Sequence, residues 1–228
     1  MTSNEKKVLI LLGGLWHDFD GFASVMQALL TPHGFQVEAT YDLDHLLHLE
    51  EHDYDVIFSY TCFSQHREGY NDTSPEKLTN AQIDGLTNWV RNGGALLAVH
   101  SATVIGESDG ALGELIGGVF VSHPPPFTFT VYPVFEQHSI TTGIEAFSVH
   151  DEFYMQTHTP DVQVHMVALD RGVAYPMAWS KTEGQGRVAH IAPGHFREVW
   201  ELKPYQQLLL QTLGWLMEKH SNKKHMPI

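Results

Sequence analysis

The order of apolar and polar positions predicts strands that alternate with helices over the first hundred residues. The runs VLILLGG, QVEATYD, YDVIFSY and ALLAV have the length and apolar character of strands, whereas GFASVMQALLTPHGF carries its apolar residues at helical spacing. In LTNAQIDGLTNWVRNGG, Thr79 with Gln82 is a capping-box signature and the two glycines are a stop signal. With a short helix at LDHLLHLEEH, this alternation predicts βαβ units and a parallel sheet covered on both faces.

From residue 119 to about 192 the pattern changes to strand-like segments separated by turns. These segments are VFVSH, FTFTVYPVF, VHMVALD, YPMAWSK and GRVAHIA, and TEGQG has the composition of a hairpin turn. An amphipathic helix over 201–219 follows. The predicted fold class is α/β: a three-layer sandwich with a mainly parallel sheet and an antiparallel extension. One domain is expected over residues 1–220, with a tail at 221–228.

Composition and charge exclude several classes of function. The 228-residue chain is 43% hydrophobic, which suffices for one large core, and its formal net charge of -14 disfavours phosphate backbones and anionic lipid. We therefore expect no nucleic-acid partner and no membrane association, since no apolar run reaches the length of a membrane span. The single cysteine, Cys62, is interpreted as an inert thiol and, with no cleavage site after the first apolar run, favours the cytoplasm.

Four histidines follow apolar strand segments directly or within a few residues: His17, His100, His123 and His195. Because ligands of parallel sheets bind outside the carboxyl ends of the strands, these side chains are expected to converge on one crevice. The alternative for each histidine taken alone is a hydrogen-bonded structural role.

His100 is the strongest single candidate, because small residues stand two places before and after it, as in a nucleophile elbow. A helix that begins near Ser101 would place the ring at a positive dipole end and keep the imidazole neutral. A neutral imidazole accepts a proton, polarises a carbonyl or binds a metal. The backbone amides of Ser101 and Ala102 are candidates to hold an oxyanion, which makes His100 and Ser101 predicted catalytic residues.

Acidic and aromatic residues near these histidines complete the candidate site. Glu152 in HDEFY is a candidate general acid or base, with a solvated loop carboxylate as the alternative. Asp18 is a candidate substrate-binding residue that would otherwise cap the following helix. Trp16 and Tyr154, with His17, are candidates for contact with a sugar ring, and core packing is the alternative for the aromatic residues.

A metal site is a second interpretation of the same residues. His100, His123 and His195 with a carboxylate form a plausible shell for one divalent transition metal, zinc or manganese. No short spacing such as H-E-x-x-H occurs, so this prediction depends on convergence alone. The segment GGLWHD lacks both G-x-G-x-x-G and a P-loop lysine, so no nucleotide cofactor is expected.

The chain resembles the trehalose-utilisation, or ThuA-like, family, whose fold is similar to class I glutamine amidotransferases and flavodoxin. The motifs that carry the resemblance, in order, are KVLILLGG with His17-Asp18, LTNAQIDGLTNWVRNGGALLAVHSA, LIGGVFVSHP, HSITTGI, DEFY, YPMAWSKTEGQGRVAHIAPGH and LLLQTLGWL. Where an amidotransferase carries its nucleophilic cysteine, the family has histidine, so glutamine hydrolysis is not expected. Ser139, the long loop FSQHREGYNDTSPEK and the PPP after His123 depart from the family pattern.

The resemblance implies a part in disaccharide catabolism, linked to oxidation of trehalose-type sugars to 3-keto derivatives. We expect an enzyme in which His100 and Glu152 exchange protons beside a sugar ketone, while His123 and His195, or a metal they bind, stabilise the enediolate. One alternative is a metal-dependent or histidine-assisted hydrolase. Another is a sugar-binding subunit without activity that presents sugar to a dehydrogenase. The candidate partners are a sugar substrate, a sugar dehydrogenase and a second copy of the chain.

Overall fold

The computed structural model of the protein describes residues 5–64, 75–134 and 137–218. In these ranges the strands β1 to β11 span, in order, Lys6–Gly14, Phe35–Thr40, Val56–Cys62, Ala95–Val99, Gly118–Ser122, Phe127–Pro133, Phe147–Asp151, Met155–His158, Gln163–Asp170, Val173–Glu183 and Gly186–Ile191. The helices α1 to α5 span Phe19–Leu30, Asn80–Arg91, Gly110–Ile116, Arg197–Trp200 and Lys203–Leu216.

Nine of these strands form one mixed sheet, in the order β2-β1-β3-β4-β11-β10-β9-β6-β7. The first five strands of that order are mutually parallel, and the neighbours from β11 onward are antiparallel. Strands β5 and β8 pair separately as a two-stranded antiparallel sheet. The predicted α/β class with a large sheet is confirmed, and the parallel strands end at a common edge.

Helices and apolar side chains lie against both faces of the parallel strands. Along β1, Val8, Ile10 and Leu12 belong to one hydrophobic cluster, which also contains buried residues of α1 and α5. The alternate residues Leu9 and Leu11 belong to a second cluster, which contains buried residues of α2 and α3. A strand buried on both faces needs apolar residues at every position, which explains the unbroken run VLILL.

Local hydrogen bonds explain where the predicted helices begin. At α2 the Thr79 amide donates to Gln82 Oε1 at 2.9 Å and the Gln82 amide donates to Thr79 Oγ1 at 3.3 Å, which is the predicted capping box. At α1 the Asp18 carboxylate accepts the Gly21 amide at 2.9 Å. Asp18 is thus the N-cap of α1, the structural alternative considered for it.

Several elements differ from the sequence prediction. The segment after His100 is one 3-10 turn, His100–Thr103, and LDHLLHLEEH forms two such turns. A turn of this length has no substantial dipole. The prediction that a helix beginning near Ser101 keeps His100 neutral through its dipole is therefore wrong. Helix α3 and strands β7 and β8 were not predicted, and GRVAHIA is parallel to β4 rather than part of an antiparallel extension.

Some predictions fall outside the described residues. The tail 221–228 and most of the loop 63–77 are among them, and the division into a domain at 1–220 stays a prediction. Among the described helices, none is long and apolar enough to cross a membrane.

Two buried histidines give the fold a predictable sensitivity to acid. Burial lowers the pKa of His165 to about 3, with a smaller effect from His138, and burial lowers the pKa of His190 to about 3, with a smaller effect from His100. The unfolded chain therefore binds more protons than the native chain at pH values between about 3 and the ordinary histidine pKa of 6.5. Stability should fall as the pH falls through this window, by up to ~1.4 kcal/mol per pH unit for each histidine.

Urea unfolding measured as a function of pH tests this expectation. His165→Gln should remove one histidine's share of the slope, and His33→Gln, at an exposed position, is the control substitution. An identical slope in both variants and the wild type would contradict the assignment.

Candidate active site

Three of the predicted histidines meet at the carboxyl edge of the parallel strands. His17 follows β1, His100 follows β4 directly and His195 follows β11. Their ring centroids are 5.1 Å apart for His17 and His100, 4.7 Å for His17 and His195, and 5.4 Å for His100 and His195. The structure therefore brings these rings together because their strands run in the same direction and end at one edge.

His100 lies at an abrupt turn at the end of β4. Its φ angle is 47°, in a region that residues other than glycine rarely adopt, while Val99 before it is extended. Its side chain is fully buried against Tyr154, whose ring centroid is 4.1 Å away. This strained residue after a buried strand matches the elbow that the small neighbouring residues indicate.

Hydrogen bonds to backbone carbonyls fix the tautomers of two rings. His17 Nδ1 donates to the Leu15 carbonyl and His100 Nδ1 donates to the Ala192 carbonyl, each at 2.8 Å. A carbonyl only accepts, so the Nε2 atom of each neutral ring carries a lone pair. Both Nε2 atoms are buried and have no hydrogen-bond partner among the described residues.

Glu152, which follows β7, brings a carboxylate to the same point. Its Oε2 atom lies 3.4 Å from His100 Nε2 and 3.2 Å from His195 Nδ1, and its Oε1 atom lies 3.6 Å from His123 Nε2. Burial opposes ionisation of Glu152, but the nearby His100 and His195 rings hold its pKa below the ordinary value. The carboxylate is therefore ionised at neutral pH.

Four of these groups have the arrangement of a metal-binding shell. One ligand atom each from His17, His100, His195 and Glu152 lies within 4.8 Å of the other three. Burial, together with the charges of His100 and His195, lowers the pKa of His17 well below its ordinary value, which favours the neutral ring that a metal requires. Three imidazoles and one carboxylate suit a transition metal. Without a cation between them, the lone pairs of these groups face one another directly.

His123, predicted as a metal ligand, lies outside this group of four. It follows β5, which belongs to the separate two-stranded sheet, and its Nδ1 atom donates to the Pro124 carbonyl at 2.9 Å. Its free Nε2 atom faces Glu152 from the rim, and its side chain is 32% exposed. The structure thus groups His17, rather than His123, with His100 and His195.

His17, His123, His195 and Glu152 line a crevice of about 450 Å³. His100 is fully buried behind this lining, where it contacts Glu152 and Tyr154. The other lining residues of the crevice include Trp16, Phe120 and Tyr154, whose rings form much of the wall. The Phe120 and Tyr154 ring centroids are 4.5 Å apart, and Trp16 is 39% exposed. Cys62 also lines the crevice, but burial raises the pKa of its thiol to about 12, so it is not a thiolate nucleophile.

Ser101 lies in the interior rather than on the crevice wall. Its side chain is fully buried, and its Oγ atom has no hydrogen-bond partner in the described ranges. The oxyanion role predicted for Ser101 concerns its backbone amide and not this hydroxyl.

Sequence reasoning missed the buried carboxylate of Asp151. Its Oδ2 atom accepts the Gly194 amide at 2.6 Å and its Oδ1 atom accepts the His195 amide at 3.1 Å. Burial raises the pKa of Asp151, while the charge of His100 and backbone hydrogen bonds counteract that rise. The one feature of the sequence that points to Asp151 is its position directly before Glu152.

Gly194 allows the backbone to pass close to His100. Its φ angle is 143°, and a Cβ atom there would lie 2.8 Å from the Tyr205 hydroxyl and 3.4 Å from His100 Cβ. We expect Gly194→Ala to destabilise the fold by about 1–3 kcal/mol through backbone strain and crowding. Chemical denaturation measures this loss, with Gly13→Ala as the control, because Gly13 has nearly the same φ, 139°, but no atom within 4 Å of an added Cβ. Equal losses would show that crowding at Gly194 has no effect.

Comparisons with known proteins show what the chain is similar to. The ThuA family profile, described as trehalose utilisation, matches residues 7–216. The comparison with curated proteins gives no match. A crystal structure of a ThuA-like protein from Bacteroides uniformis ATCC 8492 is 19% identical with a TM-score of 0.73, and the match covers 95% of this chain and 93% of that chain.

Two further structures share the fold. A Salmonella typhimurium LT2 protein described as cytoplasmic is 16% identical with a TM-score of 0.65, over 93% of this chain and 100% of that chain. The β-galactosidase of Rahnella sp. R3 is 13% identical with a TM-score of 0.65, and the match covers 95% of this chain but 32% of the galactosidase. Identities this low show the fold alone. The family profile spans nearly the whole chain, and the chain therefore belongs to the ThuA trehalose-utilisation family.

Proposed function

We propose that the protein catalyses proton transfer on trehalose-type disaccharides or their 3-keto derivatives, as an isomerase or epimerase in carbohydrate catabolism. The observation that carries this proposal is the convergence of three histidine nitrogens on the Glu152 carboxylate inside the crevice. Membership of a trehalose-utilisation family supports the substrate class. The cytoplasmic location expected from the sequence stays a prediction.

The lining of the crevice suits an uncharged sugar. A volume of about 450 Å³ falls in the range of small-molecule sites. The described lining residues include aromatic rings, which pack against the apolar faces of sugars, and histidines, which hydrogen-bond to hydroxyls. They include no lysine or arginine, the residues that usually bind phosphate, so a sugar without phosphate is the better fit.

The chemistry requires a base and an electrophile but no co-reactant. The His100 Nε2 lone pair or the Glu152 carboxylate removes the proton from the carbon beside the ketone, and the C–H electron pair becomes the C=C bond of an enediolate. The ketone π electrons move to its oxygen, where His195 donates a hydrogen bond; His123 donates there only as an imidazolium, because its Nδ1–H is already used at the Pro124 carbonyl. Protonation of the same carbon from the opposite face gives an epimer. Protonation of the former carbonyl carbon moves the ketone, as the hydroxyl on the neighbouring carbon loses its proton and becomes the new carbonyl.

The same residues fit a divalent transition metal. His17, His100, His195 and Glu152 would hold it, because their buried ligand atoms already face one another. Such an ion would supply Lewis acidity at the substrate oxygen. With those four residues occupied as ligands, the free Nε2 atom of His123 is the nearby group left to exchange the proton.

Isotope exchange tests the reaction class directly. A 3-keto disaccharide is incubated with the protein in D2O and, separately, in ¹⁸O-labelled water, and the sugar is examined by NMR and mass spectrometry. Deuterium on the carbon beside the ketone, without cleavage, is the expected result. Cleavage with ¹⁸O in the released sugar would replace the proposal with a hydrolase. A control without protein measures how much ¹⁸O the ketone takes up from water by itself. Saturable binding with neither change would replace it with a sugar-binding subunit of a dehydrogenase.

A further inference from the structure

A short loop after β11, residues 193–195, carries His195 into the site and is held by buried side chains. The Asp151 carboxylate, at 0% exposure, accepts the amides of Gly194 and His195. Three buried aromatic residues donate to carbonyls of the same loop. The Gly194 carbonyl accepts from Tyr60 at 2.9 Å and from Trp200 at 2.6 Å, and the Pro193 carbonyl accepts from Tyr205 at 2.9 Å.

Asp151 links the two parts of the site that meet across the crevice. It is the last residue of β7, and the next residue in the chain is Glu152. The residue that directly precedes Glu152 therefore also binds the loop that carries His195, whose Nδ1 atom lies 3.2 Å from Glu152 Oε2.

We propose that Asp151 is a positioning residue that sets the separation and orientation of Glu152 and His195 by holding the Gly194 and His195 amides against the end of the strand that leads into Glu152. The inference rests on the proposed function in one respect, namely that Glu152 and His195 belong to the active site. Asp151 is fully buried and both of its carboxylate oxygens accept backbone amides, so it is assigned a positioning role and not a catalytic one.

The chemistry of the contact requires a carboxylate. Backbone amides only donate, and an ionised carboxylate offers acceptor oxygens alone. An asparagine at this position would place one NH2 group where Oδ1 or Oδ2 now accepts an amide, leaving a buried N–H unpaired. Outer residues that orient metal ligands typically change metal affinity 10- to 100-fold when they are substituted.

The test compares Asp151→Asn with two controls. Asp109→Asn changes an exposed aspartate that also accepts a backbone amide, from Ala111, but caps α3 far from His195 in the sequence. Leu86→Ala opens a cavity in the second hydrophobic cluster. It therefore lowers the stability of the fold without changing residues 193–195. The readouts are the imidazole ¹⁵N NMR signals of the metal-free proteins, and Co²⁺ affinity with the visible spectrum of the bound ion.

Asp151→Asn should displace the His195 imidazole signals and weaken Co²⁺ binding about 10- to 100-fold with an altered spectrum. Both controls should retain the wild-type His195 signals. Wild-type His195 signals in folded Asp151→Asn would overturn the inference. If Asp151→Asn does not fold, Asp151→Glu replaces it in the test, because it keeps two acceptor oxygens one methylene further out. A shift of the His195 signals in Asp151→Glu would then support the inference, and unchanged signals would overturn it.

The outcome is separable from that of the proposed function. If the wild-type protein binds no Co²⁺, metal binding at the site fails, while the NMR comparison still decides the role of Asp151. If sugar turnover is absent but the His195 signals move in Asp151→Asn, the positioning role stands and the proposed reaction falls.

Discussion

His100→Asn should lower kcat/KM for a 3-keto disaccharide by about 10³-fold, within the usual contribution of a positioned acid or base. Asparagine tolerates the positive φ of this position, and its amide nitrogen can replace Nδ1 as donor to the Ala192 carbonyl. The substitution therefore deletes Nε2, the atom that faces Glu152, with little change to the turn. Steady-state kinetics with NMR detection of the product measures the effect.

The matched control is His33→Asn. His33 Nδ1 donates to the Leu29 carbonyl at 2.8 Å, so asparagine makes the same replacement at an exposed residue outside the crevice. This control should retain wild-type turnover. Wild-type kcat/KM in folded His100→Asn would remove His100 from the mechanism.

Glu152→Gln should lower turnover by about 10²- to 10⁴-fold. Glutamine keeps the size of the side chain but removes the negative charge that His100 and His195 stabilise. Its NH2 group replaces one of the two carboxylate oxygens that face the imidazoles, and an NH2 group neither takes up a proton nor binds a cation. Turnover and metal content are measured on the same preparation.

Glu50→Gln, at an exposed carboxylate, controls for the loss of one charge from a chain of net charge -14. It should match the wild type in both measurements. Retained turnover in Glu152→Gln together with lost metal would show that Glu152 is a metal ligand and that another group exchanges the proton.

The convergence of His17, His100 and His195 was predictable because each histidine follows a strand of the parallel sheet. Strand direction alone places such residues at one edge, without knowledge of side-chain packing. The same reasoning brought His123 to the crevice but did not show that it lies outside the group of four, because nothing in the sequence shows that its strand leaves the main sheet to pair with β8. Local pattern identifies strands but does not reveal their partners.

Glu152 was predictable as an acidic residue in a distinctive motif, but its route into the site was not. Strand β7 has only two buried apolar residues, Phe147 and Val149, between polar ones, which is too weak a pattern to predict a strand. Asp151 shares this limitation. Its role depends on amides more than 40 residues away, a contact that no local spacing encodes.

Metal analysis of protein purified without a histidine tag tests the central claim most directly, namely that His17, His100, His195 and Glu152 form one cation-binding site. After reconstitution with zinc or manganese and dialysis against a weak chelator, the wild type and His123→Ala should each keep about one ion per chain, whereas His17→Ala should lose it. A wild type that retains no ion, or an ion that is lost in His123→Ala but kept in His17→Ala, would contradict the account.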